Sequence, residues 1–112
     1  MHELALSKSI MHTLDSIRQE QGNKRIKKVT INLGALQHVV PDSLKFYLDL
    51  LKEKTPFEES EFQLKETPIK IKCQSCGHVT EIPEMIMICD SCQSRNVEVI
   101  EGMDVFIESV EI

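Results

Sequence analysis

All four cysteines of the chain fall within twenty positions, as Cys73-Gln74-Ser75-Cys76, twelve further residues, and Cys89-Asp90-Ser91-Cys92. Two Cys-x-x-Cys pairs at this separation suit a tetrahedral ion, because each pair forms a tight turn whose thiolates face one point. Gly77 directly follows the first pair and supplies the left-handed conformation with which such a turn closes without strain; the second pair is followed by Gln93. The alternatives are disulfides or four unrelated thiols. Glu3 places an acid at the start of the chain and no long apolar run follows, so no secretory signal is read and a cytoplasmic location is expected. A reducing cytosol argues against disulfides. Sulfur-only tetrahedral ligation also suits iron, but structural Zn²⁺ on Cys73, Cys76, Cys89 and Cys92 is the expectation. A closed four-sulfur site leaves no position for a substrate, so the function has to lie elsewhere.

At 112 residues the chain can hold one compact domain, or a small core plus a metal-held module. Thirteen basic against 18 acidic residues give a formal charge of −5. Four thiolates around one Zn²⁺ take the loaded chain to about −7. Nucleic-acid binding needs a positive footprint, and the cysteine region sets Lys70, Lys72 and Arg95 against Glu81, Glu84, Asp90 and Glu98. Four Phe and one Tyr leave little to stack on bases. Neither a nucleic-acid nor a membrane partner is expected, since no stretch is long enough to span a bilayer. Nor is an enzyme: there is no glycine-rich phosphate loop, no recognisable catalytic motif and no open metal site.

Residues 3 to about 21 read as an amphipathic helix, with Leu6, Ile10, Leu14 and Ile17 on its apolar face and His12 on its surface. Val29, Ile31 and Leu33 alternate with polar residues over 25–33, a strand with one buried face. The preceding cluster Lys24, Arg25, Lys27 and Lys28 reads as a solvated strand edge or a docking patch for an acidic partner. After a loop at 35–40, Pro41-Asp42-Ser43 opens a second helix with Leu44, Leu48 and Leu51 on its buried stripe, stopped by Thr55-Pro56. Phe62 and Leu64 mark a second strand over 61–66. Val79, Ile82, Met85, Met87 and Ile88, between the cysteine turns, read as filling for a small core. Met103, Val105 and Ile107 alternate, then the parity slips to Val110 and Ile112, which predicts a final strand with a bulge near Glu108-Ser109.

A lone last strand has to pair, and the two earlier strands need a third. The expected fold class is therefore α+β. A three-stranded sheet covered by two helices is built from residues 1–66 plus 102–112, and a small zinc-ribbon-like module is inserted at 67–101.

Met1-His2-Glu3 is the second informative stretch. A free α-amine, the amide of residue 2 and the imidazole of a second-position histidine can chelate one Ni(II) or Cu(II) through fused rings. By residue chemistry alone, a histidine near a frayed terminus is the competing reading.

Four features together resemble the HypA family of hydrogenase maturation proteins, which are nickel metallochaperones. They are Met1-His2-Glu3-Leu4, Pro41-Asp42-Ser43-Leu44, the paired Cys-x-x-Cys motifs, and Glu108-Ser109-Val110-Glu111. The resemblance covers essentially the whole chain. It implies that His2 ligates nickel, with Glu3 and neighbouring backbone nitrogens completing or orienting the set, and that the four cysteines hold zinc. Asp42 then approaches the nickel or caps the second helix. The implied function is delivery of Ni(II) to the large subunit precursor of [NiFe] hydrogenase, with a nickel-handling GTPase as partner. Urease maturation factors are further partners in some members, and a homodimer is left open. The rival class is a zinc-ribbon module that contacts nucleic acid or transcription machinery, against which the negative charge counts.

Overall fold

The computed structural model describes residues 3–82 and 86–112. Its elements run α1 (Glu3–Glu20), β1 (Lys28–Gly34), a 3-10 turn (Ala35–Gln37), α2 (Pro41–Leu51), β2 (Glu61–Thr67), β3 (Ile69–Cys73), β4 (Val79–Ile82), β5 (Val97–Glu101) and β6 (Val105–Glu111). Two three-stranded sheets result, in the orders β2-β1-β6 and β4-β3-β5. The class is α+β, as expected. The chain divides into two compact units: Met1–Asn32, Val39–Lys65 and Phe106–Ile112 form one, and Leu33–His38 with Glu66–Val105 the other.

In the first unit α1 and α2 pack on each other. The core joins Ile10 and Leu14 of α1, Leu44 and Leu48 of α2, Val29 and Ile31 of β1, and Ile26, Phe57 and Phe62. The stripe of α1 is turned slightly from the expected one. Ser7 is fully buried beside Ile10 and Leu14, whereas Leu6 and Ile17 are half-buried. Its hydroxyl can leave water because it donates to the Leu4 carbonyl at 2.7 Å, one turn back. His12 is exposed.

The basic stretch does not lie on a sheet edge. It leads into β1, the central strand, and both backbone groups of Lys27 are used: its N–H donates to Glu111 O and its carbonyl accepts from Glu61 N–H. A partner strand on each side pairs the backbone groups of β1, and Ser60 Oγ donates to Ile26 O. Arg25 pairs with Glu59. On β6 the half-buried positions are Val105, Ile107 and Val110, so the inside–outside alternation slips at Glu108-Ser109, both exposed.

In the second unit β3 is central and antiparallel to both neighbours, with Ile71 opposite Thr80 of β4 and Val99 of β5. Ile69, Ile71 and Ile82 form its buried core, against which Leu36, Met87, Val97 and Val99 pack. Met85, expected among these fillers, lies outside the described residues. Leu36 comes from a segment read as a loop. Its N–H donates to Gly102 O and that of Gly34 to Asp104 O, while Gln37 Nε2 reaches Met103 O at 2.7 Å. Gly102 (φ +82°) makes this approach possible: a Cβ there would stand 2.6 Å from Pro68 O.

Candidate metal centres

β3 delivers Cys73 at its last residue, and the chain then turns back into β4. Gly77 N–H donates to Cys73 O, and Cys73 N–H to His78 O, both at 2.9 Å. The second pair repeats this pattern. Gln93 N–H donates to Cys89 O at 3.0 Å and Cys89 N–H to Ser94 O at 2.9 Å. The two turns are equivalent in backbone, and Gln93 (φ 63°) takes the left-handed conformation that Gly77 (φ 78°) takes in the first. In each pair the first cysteine is buried and the second exposed.

The turns bring the four Sγ atoms within 4.8 Å of one another. Cys73 Sγ lies 3.6 Å from Cys92 Sγ, and Cys76 Sγ 3.6 Å from Cys89 Sγ. Zinc–sulfur bonds of about 2.3 Å require tetrahedral sulfur–sulfur edges of about 3.8 Å, close to the two 3.6 Å edges found here, so the donor set fits Zn²⁺. Backbone amides converge on the sulfurs as well. Those of Ser75 and Cys76 donate to Cys73 Sγ at 3.3 and 3.4 Å, and that of Cys92 to Cys89 Sγ at 3.5 Å.

These donors decide where negative charge settles before metal arrives. The Cys76 amide, with that of Ser75 and the neighbouring thiols, outweighs burial and holds the Cys73 thiol down at about 6. At Cys92 the Ser94 amide favours the thiolate, but Cys73, burial and the thiols of Cys76 and Cys89 prevail and push it up to about 12. At Cys76 the His78 amide likewise favours the thiolate, and burial with the Cys89 and Cys73 sulfurs outweighs it, raising the pKa. The cluster carries one thiolate readily and resists the next, and a divalent cation removes that resistance.

At the site expected for nickel, Glu3 is the first residue of α1. Its Oε1 accepts the Val40 N–H at 3.1 Å, so the start of α1 is tied to the residue before α2. Val40 is the N-cap of α2, with no side-chain cap, and Pro41 occupies the first turn. The expected capping by Asp42 is therefore not what is found. Asp42 lies inside the first turn, where its carboxylate faces the positive end of the helix dipole. His2, the expected nickel ligand, lies outside the described residues. Neither the engagement of Val40 nor the left-handed Gln93 was read from the sequence. A valine has no capping side chain to signal it, and glutamine has no left-handed preference.

Comparison with known proteins covers the whole chain. The family model described as "Hydrogenase/urease nickel incorporation, metallochaperone, hypA" matches residues 1–112. The hydrogenase maturation factor HypA of Moorella thermoacetica is 35% identical over 111 residues, spanning 99% of this chain and 98% of its own. That of Aquifex aeolicus is 33% identical over 112 residues, spanning 100% and 97%. The solution structure of the Ni metallochaperone HypA from Helicobacter pylori superposes with a TM-score of 0.72, covering 100% of this chain and 97% of that one. At 18% identity that likeness bears on the fold alone. With its fold, its four-sulfur site and its full-length relatives in agreement, the chain belongs to the HypA family of nickel-incorporation metallochaperones.

Proposed function

We propose that this chain is a cytoplasmic nickel carrier that hands Ni(II) to the large subunit precursor of [NiFe] hydrogenase, together with a nickel-handling GTPase. It acts by ligand exchange and not as a catalyst. Nickel sits at the chain start, on His2 and the first backbone nitrogens, and belongs with the α/β part (1–66 and 102–112). The cysteine module (67–101) carries structural zinc. Maturation of urease is the second destination that the family description supports.

The observation that carries this reading is the bond from Val40 N–H to Glu3 Oε1. Helix starts ordinarily fray. Here the first residue of α1 is fixed against the start of α2. A donor set of few ligands releases its ion more readily than the closed four-sulfur cluster, as transfer requires. Glu3 serves this site as a positioning residue, its carboxylate being engaged by the amide. Glu3→Gln keeps an acceptor for Val40 N–H and should retain nickel binding, whereas Glu3→Ala should lose about tenfold. The functional test is nickel loading of the hydrogenase precursor in the presence of the GTPase. Native chain should support it and His2→Ala should not; equal loading by both would overturn the proposal.

A further inference from the structure

A four-sulfur site is closed at the metal but not at sulfur. Cys73 and Cys89 are 2% and 1% exposed, whereas Cys76 and Cys92 stand at the surface. Oxidation of cysteine needs access to sulfur and no open position on the metal, and its rate follows exposure and thiolate character. Each exposed sulfur also has a buried one from the opposite turn beside it. Cys92 Sγ lies 3.6 Å from Cys73 Sγ, and Cys76 Sγ 3.6 Å from Cys89 Sγ. An accessible thiolate poised next to a second cysteine is the arrangement in which oxidation ends in a disulfide. Protein bonds, and not the metal alone, hold the two turns together. Gln74 N–H donates to Asn96 O at 2.8 Å, Ser75 Oγ meets Ser94 Oγ at 3.3 Å, and Asp90 N–H donates to Thr80 Oγ1 at 3.3 Å.

We infer that Cys76 and Cys92 are oxidation sites for a peroxide, with Cys89 and Cys73 as their resolving cysteines, so that oxidation exchanges zinc for the disulfides Cys73–Cys92 and Cys76–Cys89. Peroxide transfers one oxygen to the Cys92 sulfur; its O–O bond breaks, and the other oxygen leaves as water with a proton from solvent. The Cys73 thiolate then attacks the resulting sulfenic acid at sulfur, the S–O bond breaks, and a second proton takes that oxygen away as water. Two thiolates have lost two electrons, and one peroxide has gained them. Cys76 and Cys89 repeat the step with a second peroxide. In sum, four thiolates, two peroxides and four protons give two disulfides and four waters, and Zn²⁺ is released with its charge unchanged. Four cysteines allow three connectivities. Pairing the buried Cys73 with the buried Cys89 would leave one disulfide with no accessible sulfur to oxidise first. Pairing within each Cys-x-x-Cys would leave the two turns unlinked. The crosswise pairing follows the 3.6 Å contacts and closes nested links across 19 and 13 residues, so it staples the same two turns that the metal joins. The nickel site plays no part in it.

Titration of the zinc-loaded, nickel-free full chain with hydrogen peroxide tests this. Two peroxides should release one zinc, read with a chromophoric chelator, and consume all four thiols. Non-reducing digestion at acidic residues, with fragmentation between Cys73 and Cys76 in the mass spectrometer, should find Cys73 joined to Cys92 and Cys76 to Cys89. Amide exchange in β3–β5 of the oxidised, zinc-free chain should stay within about threefold of the zinc-loaded chain, because the nested links replace the metal. Dithiothreitol with added zinc should restore the four thiols and the bound metal. Disulfides within each Cys-x-x-Cys, or between Cys73 and Cys89, overturn the inference. So do zinc and thiols that survive excess peroxide, or exchange in the oxidised chain as fast as in the reduced, zinc-free one.

Discussion

Gly77 and Gln93 occupy the same place in two turns of identical backbone bonding, with φ 78° and 63°. Glycine takes this conformation freely, whereas a residue with a Cβ loses about 1–2 kcal/mol. Part of that difference is offset because glycine gives up more chain entropy on folding, about 0.5–1 kcal/mol. A Cβ at Gly77 would meet nothing within 4 Å, so Gly77→Gln brings no collision and its cost is torsional alone. The net loss should be about 1 kcal/mol, or about fivefold in apparent zinc affinity, because metal binding and folding of such a module are linked. Gln93→Gly should gain a similar amount, less a few tenths for the long 3.4 Å bond from Gln93 Nε2 to Asp90 O. The double variant Gly77→Gln/Gln93→Gly should then bind zinc within about twofold of native. Zinc competition against a chromophoric chelator at fixed pH reads all four proteins. Two single changes of the same sign, or a neutral Gly77→Gln, would refute the equivalence of the turns.

Three further outcomes are expected. Gly102→Ala should cost about 3 kcal/mol, lowering the melting temperature by about 10 °C or more, because left-handed strain adds to a contact with backbone that cannot swing aside; an unchanged melt would contradict the packing at Pro68. Cys73→Ala, or removal of zinc, should speed amide exchange in β3–β5 by at least about tenfold while α1 and α2 keep their protection, since three buried isoleucines are a small core that holds its fold only marginally without a metal; equal protection with and without zinc would count against it. Acidification should release zinc with a changing slope. Between about pH 6 and 9 Cys73 is already ionised in the metal-free fold, and the raised thiols of Cys76 and Cys92 must each lose a proton, so affinity should fall at least a hundredfold per pH unit. The stability from the depressed Cys73 is complete above its unfolded value near 9 and is gone below about 6, where one more proton per zinc should appear; a pH-independent slope would refute this distribution of charge.

What could be read from the sequence was whatever repeats with a period. Leu44 and Leu48, Val29 and Ile31, and Ile10 and Leu14 are buried where their spacing puts them, because one apolar face has one place to go. The slip of parity on the last strand shows in its exposure as it did in its residues. Ser7 and Phe57 were not legible. Burial of Ser7 depends on a hydroxyl bond within its own helix turn, and Phe57 lies between elements, where no period operates. The basic stretch misled because four cations suggest an edge, while the central place of β1 comes from pairing on both sides, a property of topology and not of composition. The cysteine spacing was legible in full. The closing of the second turn on Gln93, and the clasp between Glu3 and Val40, rest on backbone groups that every residue shares.

Nickel titration of the native chain, of a chain with a residual N-terminal extension, and of His2→Ala tests the central claim most directly. An extension turns the α-amine into an amide and removes His2 from the second position, while leaving the cysteines untouched. If the terminal amine, the first amides and His2 form the site, the native chain binds Ni(II) and both altered chains lose at least about tenfold, with zinc content unchanged. Binding by the native chain should also weaken below about pH 6.5, as the imidazole and the amides take up protons. Nickel binding that is equal in all three proteins would contradict the account and place the nickel elsewhere on the chain.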